Sequence, residues 1–411
     1  MTMSAVQTTH PPIAPTRRRP SSDFSLAGLL YCALLMFMGL AAYNTQANLI
    51  FAMFGLMIGI MIVSWVVGRV VVRGLEVRRM MPPYLVVGVP TTLYFEITNR
   101  KRYWPSMSVT VTELDGGKGF TQPPQAYLLH AAPGKTASIP CELLPRRRGI
   151  YDLDHYQLST TFPFGFIKRS LRKRHRERVA IFPPVAEVER RLLSLCRAAD
   201  EAGQSARARP GGTDEFYGVR QYRSGDNPRW IHWRRSAQTG VLVMREMTRV
   251  APPQLILVVD TYLESRSPQS HAAVERAIAM AGSVASAALD DGLAVGLCAF
   301  NGEPLSIEPG RGKQQCDDLL GLLARLPLNQ KCRSDELMNL AQRMARPSAT
   351  IVLATPSSLQ GDPLIEARGS QIVLSAQRDE SLGWFHFSSD IDFEACVPAD
   401  QMVGNPKESK A

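Results

Sequence analysis

The chain has 411 residues, of which 45% are hydrophobic, and a formal net charge of +10 from 47 Lys and Arg against 37 Asp and Glu. This length allows two or three domains with cores of their own, and the charge is too modest to require a nucleic-acid partner. The seven cysteines are an odd number and form no CxxC pair, which argues against a disulfide framework and favours reduced thiols in the cytosol.

The amino-terminal part of the chain predicts a membrane anchor. Residues 1–22 are rich in Pro, Ser and Thr and are expected to form a disordered cytoplasmic tail. Two uncharged apolar runs follow, Phe24–Tyr43 and Ala47–Val67, and each is long enough as a helix to cross a hydrocarbon core of roughly 30 Å. Residues 23–68 therefore predict a transmembrane helical hairpin. A cleaved signal peptide fits poorly, because its apolar core is usually about 7–15 residues long.

Arginines flank this helical hairpin on both sides, whereas its short connector is uncharged. They are Arg17, Arg18, Arg19, Arg69, Arg73, Arg78 and Arg79. Because Lys and Arg are retained on the cytoplasmic side during insertion, both termini and the soluble domains are predicted to lie in the cytoplasm. The predicted location is the inner (plasma) membrane of the cell.

Residues 75–184 predict an immunoglobulin-like β-sandwich. Runs that alternate apolar and polar residues lie at 91–99, 106–114, 136–144 and 149–162. Short strands at this spacing, with no helical stretch between them, are typical of such a sandwich. The basic run 168–178 in the same region is expected to form a solvated hairpin or to contact anionic lipid.

Residues 185–250 predict a linker helix, at 186–202, followed by an arginine-rich motif, and residues 251–400 predict an α/β domain. Apolar runs typical of buried parallel strands lie at 253–260, 293–300, 350–354 and 370–376. Helical stretches alternate with them at 271–290, 313–326 and 334–344. This alternation predicts a doubly wound α/β domain, and residues 401–411 are expected to form a flexible tail.

The arginine-rich motif is GVRQYRSGDNPRWIHWRRSAQTG, residues 218–240, in which arginines and tryptophans surround a single acidic residue, Asp226. Asn227 followed by Pro predicts the start of a helix, and Gly240 predicts its end. The two tryptophans are three positions apart and are expected to share one face of this helix.

The longer stretch GTDEFYGVRQYRSGDNPRWIHWRRSAQTGVLVMRE resembles the signature of the domain-of-unknown-function family number fifty-eight. The matching positions are Glu215, Phe216, Arg220, Tyr222, Gly225, Asp226, Arg229, Ile231, Trp233, Ser236, Ala237 and Gly240. The resemblance implies two amino-terminal spans, a β-domain and a von Willebrand factor A-like α/β domain. It also implies partners, because members of this family are commonly encoded beside MoxR-type AAA+ ATPases and other von Willebrand-domain proteins.

Three interpretations of the motif remain open. In the first, Glu215, Arg220, Asp226 and Arg229 form a partly buried, charge-assisted network that joins the segment to its neighbours. In the second, arginine and tryptophan form a partner-binding surface. In the third, the motif binds nucleic acid or takes part in catalysis, which no RNP, KH or zinc-knuckle spacing supports. The residues predicted to form the joint or the interface are Glu215, Arg220, Tyr222, Asp226, Arg229, Trp233 and Arg234.

The end of the first α/β strand resembles a degenerate metal site. Von Willebrand-type domains often bind Mg²⁺ through D-x-S-x-S, and Asp260 stands in the first position. Tyr262 and Glu264 replace the two serines, and a tyrosine ring fills the space that small oxygen ligands need. We therefore expect Asp260 to hydrogen-bond a neighbouring loop. The sequence predicts no bound metal, no other cofactor and no catalytic residues.

These observations favour a non-enzymatic protein: a membrane-anchored, cytoplasm-facing scaffold or adaptor that works with a MoxR-type ATPase in the assembly or maturation of other proteins. The alternative is a protein that binds nucleic acid or anionic lipid. An unrecognised enzyme is the third class, and it would need titratable groups that converge in a pocket. A nucleic-acid partner is not expected, and the sequence leaves the client protein and the oligomeric state open.

Overall fold

The computed structural model describes residues 21–45, 47–115, 119–205, 210–248, 253–265, 267–328, 334–346, 349–357, 371–377, 379–388, 391–394 and 396, with the backbone alone at 198–205, 210–217, 246–248 and 380. The chain divides into two compact units, Met1–Ile181 and Phe182–Ala411. The predicted tail 401–411 and residues 1–20 of the predicted tail 1–22 lie outside the described residues. Ser21 and Ser22 belong to a strand, so the prediction of disorder is wrong for these two residues. The six cysteines in the described part are free, as the sequence predicts.

The first unit begins with a short strand, β1 (Ser21–Phe24), and two long apolar helices, α1 (Leu26–Thr45) and α2 (Asn48–Val72). The hydroxyl of Tyr31 on α1 donates to the carbonyl of Met57 on α2 over 3.0 Å, so the helices are antiparallel neighbours. Large apolar side chains point outward along both helices; Phe37 on α1 and Leu49 on α2, for example, are each 73% exposed. The predicted helical hairpin is confirmed, and both helices could span a membrane.

The carboxyl end of α2 is fixed to the β-structure that follows it. The ammonium of Lys101 donates to the carbonyls of Val70 and Val71 over 3.0 and 2.9 Å, and the hydroxyl of Ser106 donates to Val71 over 2.9 Å. These carbonyls have no partner inside the helix, and a cation at a helix carboxyl end is electrostatically favourable. The helical hairpin and the β-structure of this unit therefore have a defined mutual orientation.

The other strands of the first unit are β2 (Leu75–Met80), β3 (Leu85–Val86), β4 (Thr91–Asn99), β5 (Ser106–Glu113), β6 (Gln125–Ala131), β7 (Thr136–Leu143), β8 (Gly149–Thr160) and β9 (Ile167–Phe182). One sheet has the order β1-β9-β8-β5-β6, with β3 paired to β9, and the other has the order β2-β4-β7. The four predicted strands form as β4, β5, β7 and β8, within two residues of the predicted bounds. Alternate residues on these strands are buried, which accounts for the period of two in the sequence.

A buried ion pair joins the two sheets of this unit. Arg79 on β2 and Glu113 on β5 make two hydrogen bonds of 2.6 and 2.9 Å, and their side chains are 1% and 0% exposed. Arg79 also donates to the carbonyl of His175 on β9 over 2.8 Å. One of the arginines that flank the helical hairpin in sequence is therefore a core residue.

The basic run 168–178 is a continuous part of β9, which forms an antiparallel hairpin with β8, and most of its residues are exposed or partly exposed, as expected of a solvated hairpin. Its carboxyl half is neutralised by acidic residues of the neighbouring strand β8. Arg176 pairs with Asp154 at 2.9 Å and Arg178 with Asp152 at 3.1 Å, all on the exposed side. Antiparallel pairing with β8, which has one register shift between Leu153 and His155, holds this long charged segment as a strand.

The second unit contains β10 (Glu187–Val188), α3 (Arg190–Ser205), β11 (Pro210–Gln221), α4 (Trp233–Thr239), β12 (Val243–Thr248), β13 (Gln254–Val259), α5 (Pro268–Asp290), β14 (Ala294–Phe300), β15 (Pro304–Gly310), α6 (Lys313–Arg325), α7 (Ser334–Met344), β16 (Thr350–Thr355), β17 (Gln371–Ser375), α8 (Asp379–Leu382) and β18 (Phe385–His386). The predicted linker helix is α3, which starts four residues later than expected because β10 precedes it. The predicted α/β content is confirmed.

Five strands form the central sheet, in the order β15-β14-β13-β16-β17. The strands β14, β13, β16 and β17 are parallel, whereas β15 is an antiparallel edge strand that the sequence did not predict. Gly296 on β14 allows this strand to approach closely, because a Cβ there would lie 2.9 Å from Pro309 on β15. Helix α5 is as apolar as a membrane span, but 83% of its apolar window is buried in this unit, so it is a core helix.

Candidate functional site: the signature hairpin

The arginine-rich motif connects two antiparallel strands, β11 and β12, and we call residues 210–248 the signature hairpin. Seven residue pairs join the strands, with two register shifts before Gly218, and side chains are described from Gly218 to Arg245. Between the strands lie a turn, a single 3-10 turn at Pro228–Trp230 and the short helix α4. The motif is therefore presented on a hairpin of its own rather than buried in the central sheet.

Arg220 and Asp226 form the closest charged contact of the motif. Both guanidinium Nη atoms donate to the two carboxylate oxygens over 2.7 Å, which is a bidentate pair. The backbone N–H of Arg223 adds a third hydrogen bond, of 2.8 Å, to the same carboxylate. These donors lower the pKa of Asp226 to about 2, with Arg220 as the largest cause. The pair is partly open to solvent, since the side chains of Arg220 and Asp226 are 30% and 18% exposed.

The predicted single helix between Asn227 and Gly240 is broken at Ile231. Asn227 does cap the first turn, where its side-chain oxygen accepts from the N–H of Arg229. Ile231 is then extended, only 9% exposed, and bridged to Met244 on β12, so its backbone cannot continue the helix. Helix α4 starts after His232 and ends at Gly240, whose φ of 70° is the left-handed conformation expected of a glycine cap.

A buried serine of the motif, which is not among the predicted site residues, fixes helix α4 to the inner face of the signature hairpin. Ser236 is 8% exposed, and its hydroxyl accepts the N–H of Val243 over 2.8 Å and donates to the carbonyl of His232 over 3.1 Å. The N–H of His232 also donates to the carbonyl of Val243, over 2.7 Å. Helix α4 is thus fixed to β12 by hydrogen bonds. The only sequence signal for this role is a small polar residue within an otherwise large and charged segment.

The outer face is apolar and basic at the same time. Trp233 is 67% exposed, Val241 48% and Leu242 45%. Trp230 lies in the 3-10 turn and Trp233 in α4, so the expectation that they share one face of a single helix is wrong. The arginines exposed on the same hairpin are Arg223, Arg229, Arg234, Arg235 and Arg245. Large exposed apolar side chains beside arginine are typical of interaction surfaces.

The other predicted site residues occupy separate positions on the signature hairpin. The backbone of Glu215 pairs with Thr248, and its side chain lies outside the described residues. Tyr222 is half-buried, and its N–H donates to Leu242 over 2.9 Å. Arg229 is exposed and lies outside the ion pair of Arg220 and Asp226. Of the predicted site residues, the described contacts therefore bring together Arg220 and Asp226. Whether the motif joins the segment to its neighbours or binds a partner stays open.

Residues 218–355 match the family model described as Protein of unknown function DUF58, from the signature hairpin to the end of β16. This match supports the DUF58 family. No curated protein matches the chain.

Two solved structures give only weak similarity. Trypsin-activated alpha-2-macroglobulin from Escherichia coli is 12% identical, with a TM-score of 0.20 over 37% of this chain and 9% of that one. A GH20 exo beta-N-acetylglucosaminidase from Vibrio harveyi is 9% identical, with a TM-score of 0.15 over 68% of this chain and 57% of that one. Both TM-scores are too low to support an argument about fold or function.

The DUF58 segment also contains the degenerate metal position at the carboxyl end of β13. Asp260 is 3% exposed, and its carboxylate accepts the N–H of Tyr262 over 3.1 Å, while its own N–H donates to Ala354 over 2.9 Å. Thr261 and Thr355 beside it are also buried. Within the described ranges, no three His, Cys, Asp or Glu side chains come together as a metal site would require. Asp260 takes part in the loop hydrogen bonding that the sequence suggests, and the absence of a bound metal stays a prediction.

Proposed function

We propose that the protein is a membrane-anchored scaffold or adaptor whose two soluble units face the cytoplasm and which works with a MoxR-type AAA+ ATPase. The observation that carries the proposal is the combination of two outward-facing apolar helices with an exposed Trp233 and arginine surface on the signature hairpin. The first feature suits an anchor, and the second suits a partner site. The role is non-enzymatic.

The orientation rests on the flanking arginines. Arg73 and Arg78, which follow α2, are exposed, and Arg69 lies in its last turn. Positive residues at one end of a helical hairpin keep that end in the cytoplasm. A reporter enzyme fused after Ala411 should therefore be active in its cytoplasmic form and inactive in its periplasmic form. Activity of the periplasmic form alone would refute the orientation.

The two soluble units are proposed to be an immunoglobulin-like sandwich and a von Willebrand factor A-like domain. Two antiparallel sheets joined by a buried ion pair support the first assignment. In the second unit the first strand of the central sheet, β13, lies between β14 and β16, which is the switch point of a doubly wound sheet. Partners commonly bind at the carboxyl end of such a sheet, where Thr261 follows β13 and Thr355 ends β16.

The partner is tested with the full-length protein in detergent and the host's own MoxR-type ATPase, mixed with ATP, ADP or no nucleotide and measured by calorimetry. We expect binding that depends on the nucleotide. Truncation of a tryptophan hot spot costs roughly 2 kcal/mol or more, so Trp233→Ala should weaken binding about 30-fold. The matched control is Trp104→Ala, since Trp104 is 58% exposed but lies in the other unit. No binding in any nucleotide state at tens of micromolar would refute this partner.

A further inference from the structure

Two arginine side chains meet on one tryptophan ring at the carboxyl end of α2. Trp65 and Arg69 belong to the helix, and Arg169 belongs to β9. The guanidinium carbons of Arg69 and Arg169 each lie 5.3 Å from the centroid of the Trp65 ring. We call Trp65, Arg69 and Arg169 the arginine–tryptophan cluster. The ring face attracts each guanidinium, whereas the two like charges repel each other, and an anion would remove that repulsion.

The protein provides no such counterpart within the described residues. Neither Arg69 nor Arg169 forms an ion pair there. Arg169 is only 6% exposed, its Nη1 donates to the hydroxyl of Ser22, and its Nε and Nη2 are buried without an acceptor. An unpartnered buried guanidinium is costly, because it has lost its hydration and gained little in return. Burial and the charge of Arg69 both lower the pKa of Arg169.

Other arginines of β9 do have hydrogen-bond acceptors, so the lack of acceptors is local to Arg169. Arg172 donates to Gln157 over 3.2 Å, and Arg176 and Arg178 pair with acidic residues of β8. The helix end does not fill the gap either, because its last carbonyls already accept from Lys101 and Ser106. Within the part of the chain that the structure describes, the Nε and Nη2 of Arg169 are therefore left without an acceptor.

Two further features allow a ligand at this position. Ser64, one position before Trp65, has a hydroxyl that is 2% exposed and has no hydrogen-bond partner. Gly68, one turn later, allows β9 to approach the helix, because a Cβ there would lie 3.3 Å from the Cγ of Arg169. The cluster thus offers unused donors on a helix and a strand that are held close together.

The cluster lies at the level of a lipid headgroup if α2 spans a bilayer, a point that rests on the proposed function. The helix has 25 residues and is about 38 Å long, against a hydrocarbon core of roughly 30 Å. About five residues at its end then extend beyond the core, and these include Arg69. Trp65 lies at the boundary, where tryptophan is enriched in membrane proteins.

We propose that the arginine–tryptophan cluster binds the phosphate of an anionic phospholipid in the leaflet at the carboxyl end of α2. The phosphate oxygens accept hydrogen bonds from guanidinium nitrogens that have no other acceptor, and the negative charge relieves the repulsion between Arg69 and Arg169. Trp65, the ring between the two guanidinium groups, is 45% exposed.

The test uses the full-length protein, delipidated in detergent and titrated with phosphatidylglycerol in mixed micelles, with bound lipid measured by native mass spectrometry. Phosphatidylglycerol should bind in a saturable way, and phosphatidylcholine should bind at least about tenfold more weakly. Arg69→Gln and Arg169→Gln should each weaken binding about tenfold or more. Arg176→Gln is the matched control, because Arg176 lies on the same strand but is paired with Asp154.

The melting temperature of each variant is measured to show that it folds. If Arg169→Gln does not fold, Arg169→Lys, which keeps the charge but not the guanidinium, is used in its place. An equal loss of binding in Arg176→Gln would overturn the proposal, since it would indicate a diffuse basic surface. Displacement of the lipid by an equal concentration of inorganic phosphate or of an oligonucleotide would also overturn it. Micelles have no inside or outside, so this result does not depend on the orientation or on the ATPase, which are tested separately.

Discussion

Removal of Arg79 should open the first unit far more than its position in a basic, membrane-flanking sequence suggests. In the folded protein its guanidinium makes a bidentate pair with Glu113 across the two sheets, and a third hydrogen bond reaches the carbonyl of His175. The side chains of the pair are 1% and 0% exposed. Arg79→Ala therefore leaves a carboxylate in the core with neither water nor a cation beside it.

The expected magnitude follows from this burial. Loss of one partner of a buried ion pair commonly costs about 3–5 kcal/mol, because the remaining charge stays desolvated. At about 1.36 kcal/mol for each factor of ten, the opening equilibrium should shift by between two and nearly four orders of magnitude. Replacement of both partners, as in Arg79→Met with Glu113→Leu, should recover part of this loss, because the fully buried carboxylate is removed while Glu177, 3.6 Å from the guanidinium, still loses its cation.

Hydrogen–deuterium exchange of the full-length protein in detergent is the suitable assay, because it reports each unit separately in a protein that does not unfold in one step. Peptides from β2 and β5 should exchange faster by about two to nearly four orders of magnitude, while the exchange rates of β13 and β16 should be unchanged. Arg78→Ala is the matched control, since Arg78 is the exposed neighbour on the same strand. Exchange in Arg79→Ala that equals exchange in Arg78→Ala would refute the assignment of the ion pair to the core.

Three further predictions concern the second unit. The pKa of Asp226 is lowered in the folded state, so its ion pair with Arg220 stabilises the signature hairpin fully above a pH of about 4 and is lost as the pH falls towards 2. The hairpin should therefore lose protection from hydrogen exchange in that range. Arg220→Gln should abolish this pH dependence, and a pH dependence that persists in the variant would contradict the pairing. Ser236→Ala should destabilise the hairpin by about 1–3 kcal/mol, measured as faster exchange of β12, because it leaves the buried N–H of Val243 without an acceptor; an unchanged rate would contradict this role. Mg²⁺ or Mn²⁺ should not raise the melting temperature, and a saturable rise that disappears in Asp260→Ala would show that a metal site exists.

The elements that the sequence predicted well are those in which a single period decides the structure. The run 91–99 became β4 without a change of bounds, and the apolar run 253–260 became the buried strand β13. The two apolar helices of the helical hairpin were predicted from the length of their uncharged runs. In each case the local pattern and the final burial agree, so no knowledge of a neighbouring element was needed.

The features that the sequence missed depend on contacts between distant segments. Arg79 and Glu113 are 34 positions apart, and nothing in the local pattern of either strand indicates that the pair is buried. The break at Ile231 arises from a bridge to β12, which removes the residue from a helix that Asn227 and Gly240 otherwise favour. The edge strand β15 has an exposed, Pro-containing sequence, so its pairing with β14 was not visible in its own residues.

The central claim, that the exposed face of the signature hairpin binds a cytoplasmic partner, is tested most directly by photo-crosslinking in the native cell. A photoreactive amino acid replaces Trp233 in the full-length protein, and Trp104 is replaced in the control. The account predicts a crosslinked product at position 233 that contains a cytoplasmic ATPase of the MoxR type and is absent at position 104. A product at position 233 that contains only periplasmic protein, or the same products at both positions, would contradict it.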